Sequence, residues 1–438
     1  MGFILTKKEK IVLIGAGSLQ FGLGSVGSII NSEILQGSTV TLHDINPTNL
    51  DLITQACRAA IEKKKFDIEL ESTTDRKKAL KNATFIINSI EVGPRFEWFD
   101  LDYETPRKYG NKQIMGENGG PGGLFHSLRV IPPILEICDD IQKICPDAFL
   151  INFSNPMSRI CLAIKRKYPT LRFVGLCHEF LGFQMHYSRI LETPLNKLKI
   201  TAGGLNHFGV VLSIKYTDTG KDAYPDLRKK GPAYLSGLKG FGNDVDLVKY
   251  ILEKFGYLTY TPDSHYGEYI GWSWEKANLE GVRLFYNGYK LYTNKAGDRL
   301  VKRIKRGSGA NLVKPDSERA IPIIEGILTD SGHEEVSVNL PNDGVITNLP
   351  QDLVVECPAI VNKYGMEAIK LGEYPKGLAG LLRNQASVQD LVVDAVLKKS
   401  KEIAFQALLL DPTIDNASKA EEMFEKMIEI NQDHIDLE

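Results

Sequence analysis

Ile11-Val12-Leu13-Ile14-Gly15-Ala16-Gly17-Ser18 is the stretch on which the fold turns. Four apolar, mostly β-branched residues with no polar alternation read as a short strand covered on both faces. The glycines that follow form a tight turn opening a helix. Similar runs recur outward along the chain: Thr39-Val40-Thr41-Leu42-His43-Asp44, Thr84-Phe85-Ile86-Ile87-Asn88, Phe149-Leu150-Ile151-Asn152-Phe153 and Phe173-Val174-Gly175-Leu176. Residues 50–66 and 131–145 carry apolar side chains at helical spacing. Strands alternating with helices build βαβ units. The expected class is therefore α/β, with a Rossmann-like doubly wound parallel sheet.

The pattern changes near residue 195. Residues 200–216 read as one or two longer strands around Gly203-Gly204, and a polar, aromatic-rich region follows to about 310, helical only at 245–255. Helical periodicity returns at 317–329, 386–409 and 418–430. The expected division is a dinucleotide-binding domain over 1–195 and an α+β substrate domain over 196–438.

Composition removes several classes of function. A chain of 438 residues allows two or three domains at about 150 residues each. With 43% hydrophobic and 25% charged residues it has the balance of a globular protein, not of a disordered chain. The net charge of −2 lacks the basic excess of a nucleic-acid binder. No apolar run is long enough to span a membrane, and six cysteines are too sparse for a disulfide framework. Met1-Gly2 with Thr6 matches a myristoylation pattern, but Phe3-Ile4-Leu5 is too short for a signal-peptide core and Lys7, Lys8 and Lys10 follow it. A cytoplasmic protein is expected, with no nucleic-acid or membrane partner.

Gly15, Gly17 and Ser18 let backbone approach a pyrophosphate, whose charge a helix N-terminus favours. The third glycine of the fingerprint is replaced by Gln20, with Gly22 and Gly24 nearby. Asp44 ends the second strand, where an acid binds ribose hydroxyls and disfavours a 2′-phosphate, so NAD is expected over NADP. Asn88 opens a polar crest, Asn88-Ser89-Ile90-Glu91, at the nicotinamide end. The bland alternative is a glycine-rich turn that binds no nucleotide.

Gly116-Glu117-Asn118-Gly119-Gly120-Pro121-Gly122-Gly123 is too glycine-rich to read as helix or strand. It is a linker or a backbone shaped around a ligand, and the helix-ready segment after it favours the second. Asn152-Phe153-Ser154-Asn155-Pro156 stands at a strand's C-terminal end, so Asn155 either meets a substrate hydroxyl or belongs to an ordinary Asn-Pro turn. Cys177-His178-Glu179 ends another strand, and Asn206-His207 lies beyond it. A thiolate and an imidazole would hold a divalent ion incompletely, leaving positions for substrate oxygens. The alternative is a buried cysteine and a hydrogen-bonded histidine. Pro262-Asp263-Ser264-His265-Tyr266-Gly267-Glu268-Tyr269 is dense in titratable groups, as acid–base chemistry needs and as solvated loops also show.

Taken together, these motifs resemble glycoside hydrolase family 4, the NAD- and divalent-metal-dependent glycosidases that stand apart from the usual two-carboxylate enzymes. The resemblance includes Pro341-Asn342 and Leu349-Pro350 and so covers nearly the whole chain. It implies a second domain of the lactate/malate dehydrogenase-like C-terminal type. It also implies Mn2+ or another divalent metal on Cys177 and His207, and transient C3 oxidation, C2 deprotonation and elimination of the glycosidic oxygen. By the same resemblance Asn155 binds substrate, His178 is the acid or contacts the sugar, Asp263 is the first choice of base and His265 the second, and Glu117 tunes that base. Cys-His-Glu is most like the α-galacturonidase branch, although Phe180 stands where that branch favours Val. A galacturonide substrate is expected, with Arg95 and Arg283 as candidate partners of its carboxylate. The alternatives are an α-glucosidase, α-galactosidase or α-glucuronidase of the family, a hydroxyacid dehydrogenase, or a non-catalytic NAD sensor. The amphipathic C-terminal helices suggest a homodimer or homotetramer.

Overall fold

The computed structural model describes residues 8–18 and 22–438. Gln20 and the N-terminal myristoylation pattern lie outside the described residues. The chain's first six strands are β1 (Lys10–Ile14), β2 (Thr39–His43), β3 (Glu69–Thr73), β4 (Phe85–Asn88), β5 (Phe149–Asn152) and β6 (Arg172–Gly175). They pair in parallel in the order β3-β2-β1-β4-β5-β6. The absence of alternation in the quoted run has a direct cause. Ile11 and Leu13 enter one apolar cluster while Val12 and Ile14 enter another on the opposite face. The helices of this half are α1 (Gly22–Ile30), α2 (Pro47–Lys64), α3 (Arg76–Leu80), α4 (Arg95–Lys108), α5 (Gly120–Ile144), α6 (Met157–Lys167) and α7 (Glu179–Leu191).

The second half contributes a hairpin, β7 (Leu198–Leu205) and β8 (Phe208–Tyr216), then β9 (Glu334–Pro341), β10 (Val354–Asn362) and β11 (Gly365–Ala368). These strands are antiparallel and continue the first sheet: β6 meets β9 at Gly175↔Asn339, and the order runs on β9-β10-β7-β8. One sheet therefore crosses the division expected at 195/196. Helices α8 (Tyr224–Ser236), α9 (Asp246–Phe255), α10 (Asp263–Tyr266), α11 (Leu279–Lys305) and α12 (Ala320–Thr329) surround it. The chain closes with α13 (Lys376–Lys398), α14 (Lys401–Leu410) and α15 (Ala417–Asn431).

Four differences from the sequence reading have physical reasons. The glycine-rich segment is partly helix: Gly120–Gly123 is the first turn of α5, with Pro121 where a missing N–H costs nothing. β9 and β10 fall in a stretch with no assigned element, because Pro358 interrupts the apolar run; it sits at an irregularity between Cys357 and Ala359. The helix expected over 386–409 is two helices, broken at Lys399 (φ 53°) and restarted by Ser400, whose hydroxyl accepts from Ile403 N. α11 buries only Gly281, Val282 and Ile304, and others of its apolar residues, such as Phe285, Tyr289 and Leu300, line a cleft, so no core-facing stripe announces it in the sequence.

Candidate functional site

A long cleft follows the C-terminal ends of β1, β2, β4, β5 and β6, with α11 as its opposite wall. Gly15, Gly17, Ser18 and Asp44 line one end of it. Gly15 has φ +87°, its N–H and that of Ala16 donate to His43 O at 3.0 Å, and a Cβ there would lie 2.9 Å from Ser89 O. Gly17 N donates to Asp44 Oδ2 at 2.8 Å, so turn and acid are coupled. Gly22 opens α1 where a Cβ would lie 2.3 Å from Ala16 O. It thus permits the close helix–strand approach of the missing third glycine.

Asn88 does not line this cleft. It is 0% exposed and donates to Asn152 Oδ1 (2.8 Å) and Ser154 Oγ (3.3 Å), tying two strand ends together. Ser89, Ile90 and Glu91 line the cleft in its place. Asn88 is the last residue of β4, and the cleft begins one residue later, where the strand has ended.

Farther along, loops from four places converge. Cys177 follows β6, and His207 sits in the β7–β8 turn at φ +62°. Their Sγ and Nε2 atoms are 3.2 Å apart although thirty positions separate them. The His265 ring lies edge-on to His207, with centroids 4.6 Å apart. His265 Nε2 is 4.0 Å from Glu117 Oε2, and Arg95 Nη2 is 3.0 Å from Glu117 Oε1. His178 stands half-exposed, with Nδ1 3.5 Å from Glu318 and Nε2 3.8 Å from Glu179. Asn155 lines the cleft with a buried Oδ1 that has no hydrogen-bond partner among the described residues.

Two candidates lie elsewhere. Asp263 is 0% exposed, and its carboxylate accepts from Leu247 N (3.1 Å), Val248 N (3.1 Å) and Asn278 N (2.8 Å). It caps α9 and does not line the cleft. Arg283 is exposed, lies 3.5 Å from Glu104 and is also outside the cleft. Asn118, Glu179, Glu268 and Glu318 are site residues that sequence reasoning did not select. Glu179 and Asn118 stood inside quoted motifs; Glu318 had no local signal at all.

Electrostatics separates the groups further. The Glu318 carboxylate beside His178 raises that imidazole to about 9 against the pull of burial. Burial, with His265 and His178 alongside, holds His207 well below the usual range and therefore neutral. Burial pulls His265 down, but Glu179, Glu117, Glu268 and Asp244 together push it up. Burial pushes the Cys177 thiol well up, with the Glu356 and Glu179 charges adding to it. Among the described residues no three His, Cys, Asp or Glu side chains group closely enough to hold an ion unaided. A neutral imidazole and a sulfur meeting at one point do fit a divalent ion whose remaining positions belong to substrate oxygens.

Comparison with known proteins agrees with this geometry. A family model described as family 4 glycosyl hydrolase matches residues 10–193, and one for the family 4 glycosyl hydrolase C-terminal domain matches 202–414. An alpha-glucosidase of Erwinia rhapontici is 42% identical over 456 residues, covering 97% of this chain and 98% of that one. An alpha-galacturonidase of Thermoanaerobacterium saccharolyticum is 28% identical, covering 97% and 96%. A 6-phospho-alpha-glucosidase from gut microorganisms, solved in complex with NAD and Mn2+, shares the fold with a TM-score of 0.83 at 23% identity, covering 98% and 100%.

Proposed function

The chain belongs to the family 4 glycosyl hydrolases, and from that premise we propose that it hydrolyses terminal, uncharged α-hexosides, α-glucosides first, using NAD and a divalent metal such as Mn2+. The observation that carries the substrate class is the pairing of the cleft's cations. Arg76, Arg95 and Arg129 line the cleft, and each already meets a carboxylate: Asp140 at 2.6 Å, Glu117 at 3.0 Å and Asp102 respectively. Arg283, expected to serve a uronate, points elsewhere. Glu117, Glu179 and Glu318 crowd the sugar end, so among the described cleft-lining residues a uronate or phosphate would meet carboxylates and no unpaired guanidinium. The greater identity to the glucosidase than to the galacturonidase supports the same choice over the galacturonide expected from Cys177-His178-Glu179.

The residues divide the work as follows. Gly15, Gly17, Ser18 and Asp44 hold the dinucleotide, which when bound supplies reversible hydride transfer at sugar C3. Cys177 and His207 would hold the ion, which when bound would supply Lewis acidity to the sugar. Asn155 Oδ1 receives a sugar hydroxyl, which gives that buried acceptor a partner. His265 takes the C2 proton: its Nδ1 lies 3.0 Å from Ser264 Oγ, its Nε2 faces Glu117, and the surrounding carboxylates favour the imidazolium that forms. His178, protonated beside Glu318, delivers a proton to the departing glycosidic oxygen.

The test compares nitrophenyl α-glucoside, α-galactoside, α-galacturonide and a 6-phosphoglucoside with NAD+, Mn2+ and reductant present. Fastest turnover of the α-glucoside is expected. Preference for the galacturonide or the phosphosugar would refute the uncharged-sugar reading. Turnover that survives removal of both NAD+ and Mn2+ would refute the redox-elimination route.

A further inference from the structure

We infer that Asn118 is a positioning residue for the ion-binding histidine: its carboxamide oxygen accepts the hydrogen on His207 Nδ1 and leaves Nε2 as a lone pair aimed at the point shared with Cys177. The inference rests on the reading of Cys177 and His207 as metal ligands. The carboxamide of Asn118 is 3.2 Å from His207 Nδ1, and Cys177 Sγ is 3.2 Å from Nε2 on the other side of the ring. Asn118 is 2% exposed, so water does not compete for this contact.

A neutral imidazole carries one hydrogen, and its neighbours decide which nitrogen bears it. With Nδ2 of Asn118 turned to the ring, that hydrogen would sit on Nε2, facing sulfur, and Asn118 Oδ1 is left buried with no partner among the described residues. A half-turn of the carboxamide exchanges its two ends. Oδ1 then meets Nδ1–H, and Nε2 is free to bind. Histidine ligands generally give their second nitrogen to a fixed acceptor, and losing it costs about 10–100-fold in metal affinity.

The fold holds Asn118 in place from two sides. The Glu268 carboxylate accepts from Glu117 N (2.6 Å), Asn118 N (2.9 Å) and Gly119 N (3.2 Å), gripping three successive amides. From behind, α5 presses so closely that a Cβ on Gly123 would lie 2.4 Å from Asn118 C. This grip places Glu117 toward His265 and Asn118 toward His207.

The experiment measures Mn2+ binding to the full chain without substrate, by electron paramagnetic resonance of free Mn2+. Asn118→Leu keeps the volume and removes the acceptor; it is expected to weaken binding about 10–100-fold with an unchanged melting temperature. Asn118→Asp keeps an acceptor and is expected to bind within a few-fold of the parent. Equal affinity in Asn118→Leu, or equal loss in both variants, overturns the inference. Should Asn118→Leu fail to fold, the parent protein loaded with Cd2+ decides: a His207 Nδ1 proton protected from solvent exchange supports the contact, and one exchanging freely overturns it. Cys177→Ser separates the two levels. If it binds Mn2+ like the parent, the ligand reading itself has failed; if it alone loses binding, only the role of Asn118 has.

Discussion

At the scale of single residues, Asp263 and His265 are two positions apart in the chain and do different work. Asp263 gives its oxygens to three backbone N–H groups, whereas His265 reaches the cleft beside His207 and Glu117. His265→Asn is therefore expected to lower kcat/KM by about 100-fold or more with little change in melting temperature. It should also abolish loss of deuterium from C2-labelled substrate. Asp263→Asn should do the reverse, because it removes acceptors at a helix start worth about 0.5–2 kcal/mol. Its signature is a lowered melting temperature with label exchange retained. If Asp263→Asn folds normally and loses exchange, the roles are exchanged. The density of titratable groups in Pro262–Tyr269 singled out this segment; which side chain faced the cleft depended on a helix start elsewhere.

At the scale of elements, the first turn of α5 reverses a common rule. Replacing glycine by alanine within a helix ordinarily stabilises it by up to about 1 kcal/mol. Here a Cβ on Gly122 would lie 2.4 Å from Gly116 O, and one on Gly123 2.4 Å from Asn118 C. Gly122→Ala and Gly123→Ala are expected to destabilise by about 1–3 kcal/mol in urea denaturation, the cost of overpacking against backbone that cannot move aside. Gly123→Ala should also weaken Mn2+ binding, since it displaces the strap bearing Asn118. A stabilised Gly123→Ala would show that the strap yields freely. The glycine pattern requires that backbone pass close to something; only the fold shows that the something is the chain itself.

At the scale of the whole molecule, the fold buries several carboxylates, among them Glu356 and Glu268. Burial pushes Glu356 up to about 7, against the hydrogen bonds of Ser337, Tyr260 and Asn206. Burial does the same to Glu268, where the nearby Glu117 charge adds to it, and the group reaches about 7. A raised folded-state value means that the native protein keeps a proton the unfolded chain has released. Stability therefore falls as pH rises from 4.5 toward about 7 and stays lower above it. Partly buried His186, lowered by desolvation to about 4 from 6.5, has the opposite slope and loses stability as pH falls through that window. The melting temperature is expected to be higher at about pH 6 than at about pH 8. Glu356→Gln should flatten that difference and raise the value at the alkaline end. Identical melting temperatures at both pH values would contradict the burial of these acids as protonated groups.

Local sequence determined the doubly wound half of this protein: unbroken apolar runs and glycine turns are properties of consecutive residues, so Ile11-Val12-Leu13-Ile14-Gly15 and Asp44 could be read directly. The Cys177-His178-Glu179, Asn206-His207 and Gly116–Gly123 motifs were legible there too, as stretches dense in chemistry-bearing residue types. Tertiary structure alone decided the rest. Arg95 met Glu117 and Arg283 turned away, Asp263 became a cap while His265 became a cleft residue, and Asn118 came to rest on His207. Each of these depends on contacts between segments distant in the chain, where packing chooses one direction for a side chain whose own residue type permits several.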